Sequence, residues 1–162
     1  MKKVLILLVV LALMVPVLAS GQDAGNTDNR VFGIHIGFVG GYDLLSDETI
    51  VARDFGLNFT VSESIQVGFR SIGDLRAAPG TFNATLLDFG YFLTPEICIN
   101  MLVGSDGTEV AGGLEAAYVL FRSDSGDAFS SSLKLKAGYL FENGNGIDSG
   151  VINAGLIGTV GY

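Results

Sequence analysis

The chain has 162 residues, 49% of them hydrophobic, with 23 glycines, a single cysteine and a formal net charge of −8 at pH 7. The acidic surplus excludes a nucleic-acid binder, which needs basic patches to neutralise phosphates. The lone Cys98 excludes an internal disulfide framework and reads as a small buried apolar residue.

Residues 1–19 come first. Met1-Lys2-Lys3 is followed by the apolar run Val4–Leu13 and then by Val17-Leu18-Ala19. A charged start, an apolar centre and a small residue at the cleavage point predict a secretory signal peptide. Pro16 interrupts the run, and Val4–Leu18 is too short for a retained membrane helix. No apolar run after Ala19 is long enough to span as a helix, and no cysteine follows as a lipid-anchor site. Residues 20–30 are polar and rich in Gly, Asn and Asp, and predict a flexible periplasmic lead-in.

From Val31 to Tyr162 the period is two, the period of half-buried strands. Eight strands are predicted, at about Val31–Tyr42, Asp54–Val61, Ile65–Ser71, Thr81–Leu93, Ile97–Gly104, Glu109–Phe121, Phe129–Phe141 and Val151–Tyr162. The first sets Phe32, Ile34, Ile36, Phe38 and Tyr42 against Gly33, His35, Gly37 and Gly41. The others repeat the contrast: Leu87, Phe89 and Tyr91 against Asp88 and Gly90, or Leu133, Leu135 and Tyr139 against Ser132, Lys134 and Lys136. Turn chemistry separates them at Ser62-Glu63-Ser64, Thr94-Pro95-Glu96, Ser105-Asp106-Gly107, Ser123–Asp127 and Asn143–Gly150. Strands two, three and five are short as drawn and must extend into their flanks to match the others. Loops at one rim are short, at Leu44–Arg53, Ile72–Gly80, Ser105–Thr108 and Glu142–Gly150.

Such strands suit a soluble barrel with the apolar face inside, or a membrane barrel with that face toward lipid. The charges favour the second. Arg70, Asp88, Glu115, Lys134 and Lys136 fall mid-strand on the small-residue face, as does His35. Small residues and balanced charges suit the cramped interior of an eight-stranded barrel. Aromatics are predicted at both rims, with Phe32, Tyr91, Tyr118, Phe129 and Tyr162 at one and Tyr42, Phe55, Tyr139 and Phe141 at the other.

The last strand carries Ile152, Leu156, Val160 and Tyr162 on one face. With this strand and the eight-strand pattern, the chain resembles the small bacterial outer-membrane barrels of the OmpA, OmpX and OmpW type. The resemblance implies an all-β fold, an eight-stranded antiparallel up-and-down transmembrane barrel. It also implies recognition of Ile152, Leu156, Val160 and Tyr162 by the barrel-assembly machinery. Gly158 and Ala154 stand where that family commonly has larger apolar residues, and the short loops argue against a loop-based adhesin.

Other motifs read as structural. His35 with Ser130, Ser132 and Glu115 holds the residue types of a nucleophilic enzyme, but strands one and seven are not sequential neighbours, and no catalytic site is expected. Gly33, Gly37 and Gly41 alternate with Phe and Ile, so they mark a strand rather than a helix-packing face or a phosphate loop. Asn143–Asp148 faintly resembles a calcium loop but lacks the closing Glu, so no metal or cofactor is expected. The expected partners are the lipid bilayer and the assembly machinery, for a monomer in the outer membrane of a diderm bacterium. The expected role is non-enzymatic, structural or surface-interacting, with His35, Arg70, Asp88, Glu115, Lys134 and Lys136 as a polar lumen network. A porin-like conduit for small or hydrophobic molecules is the first alternative, and a soluble periplasmic barrel with an apolar ligand the second.

Overall fold

Eight strands form in a computed structural model that describes residues 32–44, 47–62, 64–75, 83–107, 109–124, 130–144 and 147–161. The signal peptide, the lead-in, Val31, Phe129 and Tyr162 lie outside the described residues. The strands are β1 (Phe32–Asp43), β2 (Thr49–Ser62), β3 (Ile65–Asp74), β4 (Asn83–Phe92), β5 (Ile97–Ser105), β6 (Val110–Asp124), β7 (Ser130–Gly144) and β8 (Ile147–Gly161). Each pairs antiparallel with the next, and β8 closes on β1 from Gly33↔Gly161 to Asp43↔Val151. Closure removes the unpaired edges that would otherwise expose backbone groups to lipid.

Strands two and three extend as their length required. β2 begins five residues earlier than Asp54, and β3 runs three past Ser71. Half of the expected Leu44–Arg53 loop, from Thr49 on, is therefore strand. β7 and β8 likewise absorb most of Asn143–Gly150, pairing as far as Gly144↔Ile147, so the calcium-loop echo is a hairpin end. The turns after β4 and β5 are tight. Thr94 Oγ1 accepts from the backbone N–H of Glu96 and of Ile97, each at 3.2 Å. Asp106 Oδ1 accepts from Glu109 N at 2.6 Å, and Gly107 takes the left-handed φ of 103° that a residue without Cβ adopts freely. The register slips in β2 between Thr60 and Ser62, and in β6 between Val119 and Phe121. The β6 bulge turns both Leu120 and Phe121 outward.

The apolar face points out. Phe38 is 63% exposed, Ile36 61% and Leu114 60%, within a belt that also carries Phe69, Phe89, Met101, Leu135 and Leu156. Contiguous apolar surface of this extent is foreign to a protein in water and is the face a membrane barrel gives to lipid. The soluble alternative needs the reverse arrangement. Phe55, expected at a rim, lies inside the belt because β2 starts at Thr49. At the rim where β1 begins and β8 ends, the near rim, Phe32 and Phe59 meet with ring centroids 5.3 Å apart. Tyr42 and Phe141 stand toward the opposite, far rim.

The interior is layered. Toward the far rim, Ile50, Ala52, Ile72, Ala84, Leu86, Leu102, Ala111, Leu140 and Val151 form one buried apolar cluster. The expected polar network therefore fills only part of the lumen. In Leu86-Leu87, Met101-Leu102-Val103 and Tyr139-Leu140-Phe141 apolar residues run on both faces, and Leu86, Leu102 and Leu140 are the ones turned inward.

Candidate functional site

Beneath the apolar layer, mid-strand charges from several strands meet. Arg70 (β3) is at the centre and only 2% exposed. Its Nη2 and Nε donate to Asp54 Oδ2 and Oδ1 of neighbouring β2 at 2.6 and 3.3 Å, a two-pronged contact suited to the planar guanidinium. Its Nη1 reaches across the lumen to Glu115 Oε2 of β6 at 2.6 Å and stands 3.5 Å from Asp88 Oδ2 of β4. Lys136 Nζ (β7) donates to Asp54 Oδ2 and to both Glu115 oxygens, the latter at 3.2 Å. His35 (β1) places Nε2 3.4 Å from Asp54 Oδ1, within ion-pair range but without hydrogen-bond alignment. Six of the eight strands thus contribute to one buried cluster.

Local sequence makes the room. A Cβ on Gly138 would lie 2.6 Å from Glu115 Cγ, and one on Gly56 would collide with the His35 ring. Each glycine sits beside a large side chain projecting from the adjacent strand, so strand neighbours alternate large with small across the lumen.

All six residues expected in the lumen are buried there: His35, Arg70, Asp88, Glu115, Lys134 and Lys136. Arg70, Glu115 and Lys136 form the centre of the cluster, with Asp88 at its edge. Lys134 lies nearer the near rim, with Nζ 5.7 Å from the Phe92 ring centroid. His35 is also on the near side of the network. Asp54 was missed. A strand beginning at Asp54 would set it at a rim, whereas the five strand residues Thr49–Arg53 before it place it at mid-depth.

Below the charges lies a cavity of about 30 Å³, bordered by His35, Asn58, Gln66, Asp88, Asn100 and Thr159 among others. It has room for a water molecule and polar groups to hold one. Asp88 Oδ1 and His35 Nε2, both buried without a hydrogen-bond partner among the described residues, belong to residues on its wall. Cys98 is buried there too, with Sγ 3.1 Å from Asn100 Oδ1. The nucleophilic set does not assemble. His35 pairs with Thr159, and Thr159 with Ser132, so a whole strand separates the imidazole from that hydroxyl. Among the described residues no group of three or more His, Cys, Asp or Glu could hold a metal ion.

A closed antiparallel ring with an apolar exterior and a charged, packed interior defines a transmembrane β-barrel of the outer-membrane type. No protein-family model matches the chain, and no curated protein sequence matches it. Among solved structures it is similar to the N-terminal β-barrel domain of Pseudomonas aeruginosa OprF, at a TM-score of 0.41 and 15% identity, covering 78% of this chain and 96% of that one.

Proposed function

We propose that this protein is a closed, non-enzymatic outer-membrane barrel with a structural or surface-interaction role in the cell envelope of a diderm bacterium. Export through a cleaved signal peptide and insertion as a monomer complete the reading, with Ile152, Leu156, Val160 and Tyr162 as the segment presented to the barrel-assembly machinery. The carrying observation is the double closure of the lumen. Leu86, Leu102 and Ile72 are each 1% exposed in the apolar layer, and the Arg70 cluster crosses the barrel beneath them. A hydrated ion would have to displace both layers, breaking buried pairs that are costly to separate.

The test combines two measurements on the detergent-refolded mature chain. A boiling-dependent mobility shift on a gel reports the closed barrel. Planar-bilayer recording reports conduction, and silent bilayers are expected. Steps of conductance that change in Lys134→Ala or Arg70→Ala would replace this reading with the conduit. A mature chain that stays soluble without detergent would overturn the membrane reading itself.

A further inference from the structure

A polar break in the exterior belt centres on Arg53. Arg53 projects outward from β2 between Val51 and Phe55, which are 48% and 46% exposed. The carboxylates next to it in the chain and beside its cross-strand partner Gly73, Asp54 and Asp74, face the other way, into the barrel. Among the described residues no hydrogen bond or ion pair reaches the Arg53 guanidinium. Beside it on the outward face stand Ser71, Asn83 and Thr85, where the far third of β7 and β8 carries Tyr139, Phe141 and Ile152.

The patch has a shape. Arg53 pairs in register with Gly73, and Gly73 with Asn83. A Cβ on Gly73 would lie 3.3 Å from Arg53 Nε and 2.7 Å from Asn83 Oδ1, so the two side chains converge over the glycine. Val51 and Leu75 lie between this point and the far rim, with Leu75 N bonded to Val51 O at 2.8 Å. The charge is therefore set near the far edge of the apolar belt, four residues from the start of β2, where a long arginine side chain reaches the headgroup level and a lone cation takes a counter-charge.

We propose that this patch docks the phosphate of a membrane lipid headgroup. The guanidinium fork matches a phosphate in a two-pronged contact, and the Ser71 and Thr85 hydroxyls add donors beside it. A second copy of the chain is a poor occupant, because a two-fold contact through this patch would set arginine against arginine. The assignment rests on the outward face being the lipid face and is indifferent to whether the lumen conducts.

The folded barrel in detergent micelles is titrated with dioleoylphosphatidic acid and, separately, with dioleoylglycerol, and retained lipid is counted by native mass spectrometry. Preferential retention of phosphatidic acid is expected, weakened about tenfold by Arg53→Gln through loss of a charge-assisted contact. Equal retention by Arg53→Gln overturns the proposal, as does diacylglycerol binding as well as phosphatidic acid. Displacement of the lipid by inorganic phosphate would reassign the site to the free anion and overturn lipid docking. So would a dimer of the parent barrel that Arg53→Gln dissociates. The boiling-dependent gel shift reports the barrel independently of lipid. If Arg53→Gln does not refold, Thr85→Val asks the same question, and unchanged lipid retention there counts against the site.

Discussion

Asp54 is the residue on which the buried network depends. It accepts from both Arg70 and Lys136 and faces His35, so its removal takes one anionic partner from each buried cation and leaves Glu115 to hold both. Asp54→Asn is expected to destabilise the refolded barrel by about 3–5 kcal/mol, the cost of breaking buried ion pairs, as measured by urea unfolding in lipid vesicles. Lys136→Met should cost a similar ~3–5 kcal/mol. The double variant should cost less than the two together, because each substitution removes a partner the other had already lost. Arg70, Glu115 and Lys136 were legible because a charge at mid-strand on a small-residue face has few places to go. Asp54 was not, since its depth depends on where β2 begins, and Thr49–Arg53 looks like loop in isolation.

At the scale of the strand, alternation decides which face meets lipid. Leu114 lies in the exterior belt, and Leu114→Arg is expected to cost about 2–4 kcal/mol by the same urea titration, as for a charge near mid-bilayer. The inward glycines are equally constrained. Gly138→Ala would press against Glu115 Cγ and the Leu114 carbonyl, a strain of about 1–3 kcal/mol, while leaving the exterior unchanged. Strand existence and facing were readable from period two. Strand ends were not, because β7 and β8 continue through Asn- and Gly-rich residues that would elsewhere make a loop. Pairing with a partner strand supplies the hydrogen bonds that override this local turn preference.

For the whole molecule, the lumen closes in two unlike layers, and they should respond differently to perturbation. Leu86→Ala or Leu102→Ala opens the apolar layer at a cost of about 2–5 kcal/mol each, yet bilayers should stay silent because the charge layer remains. Sodium chloride between about 0.05 and 1 M should hardly move the unfolding midpoint, since pairs buried this deeply are screened little. The sequence by itself determined the strand number, the antiparallel barrel and the facing of His35, Arg70 and Lys136, because a period of two records which face each residue shares with its neighbours. Which residues share a level inside the ring was left to the tertiary structure. The register between strands sets that level, and it brings Asp54, Glu115 and Lys136 together from distant parts of the chain while stacking Leu86, Leu102 and Leu140 above them. Arg53 shows the same division: its residue type is plain in the sequence, but its place on the lipid face over Gly73 follows from the register of β2 against β3. Alternation is a property of one strand, and depth is a property of eight strands closed upon one another.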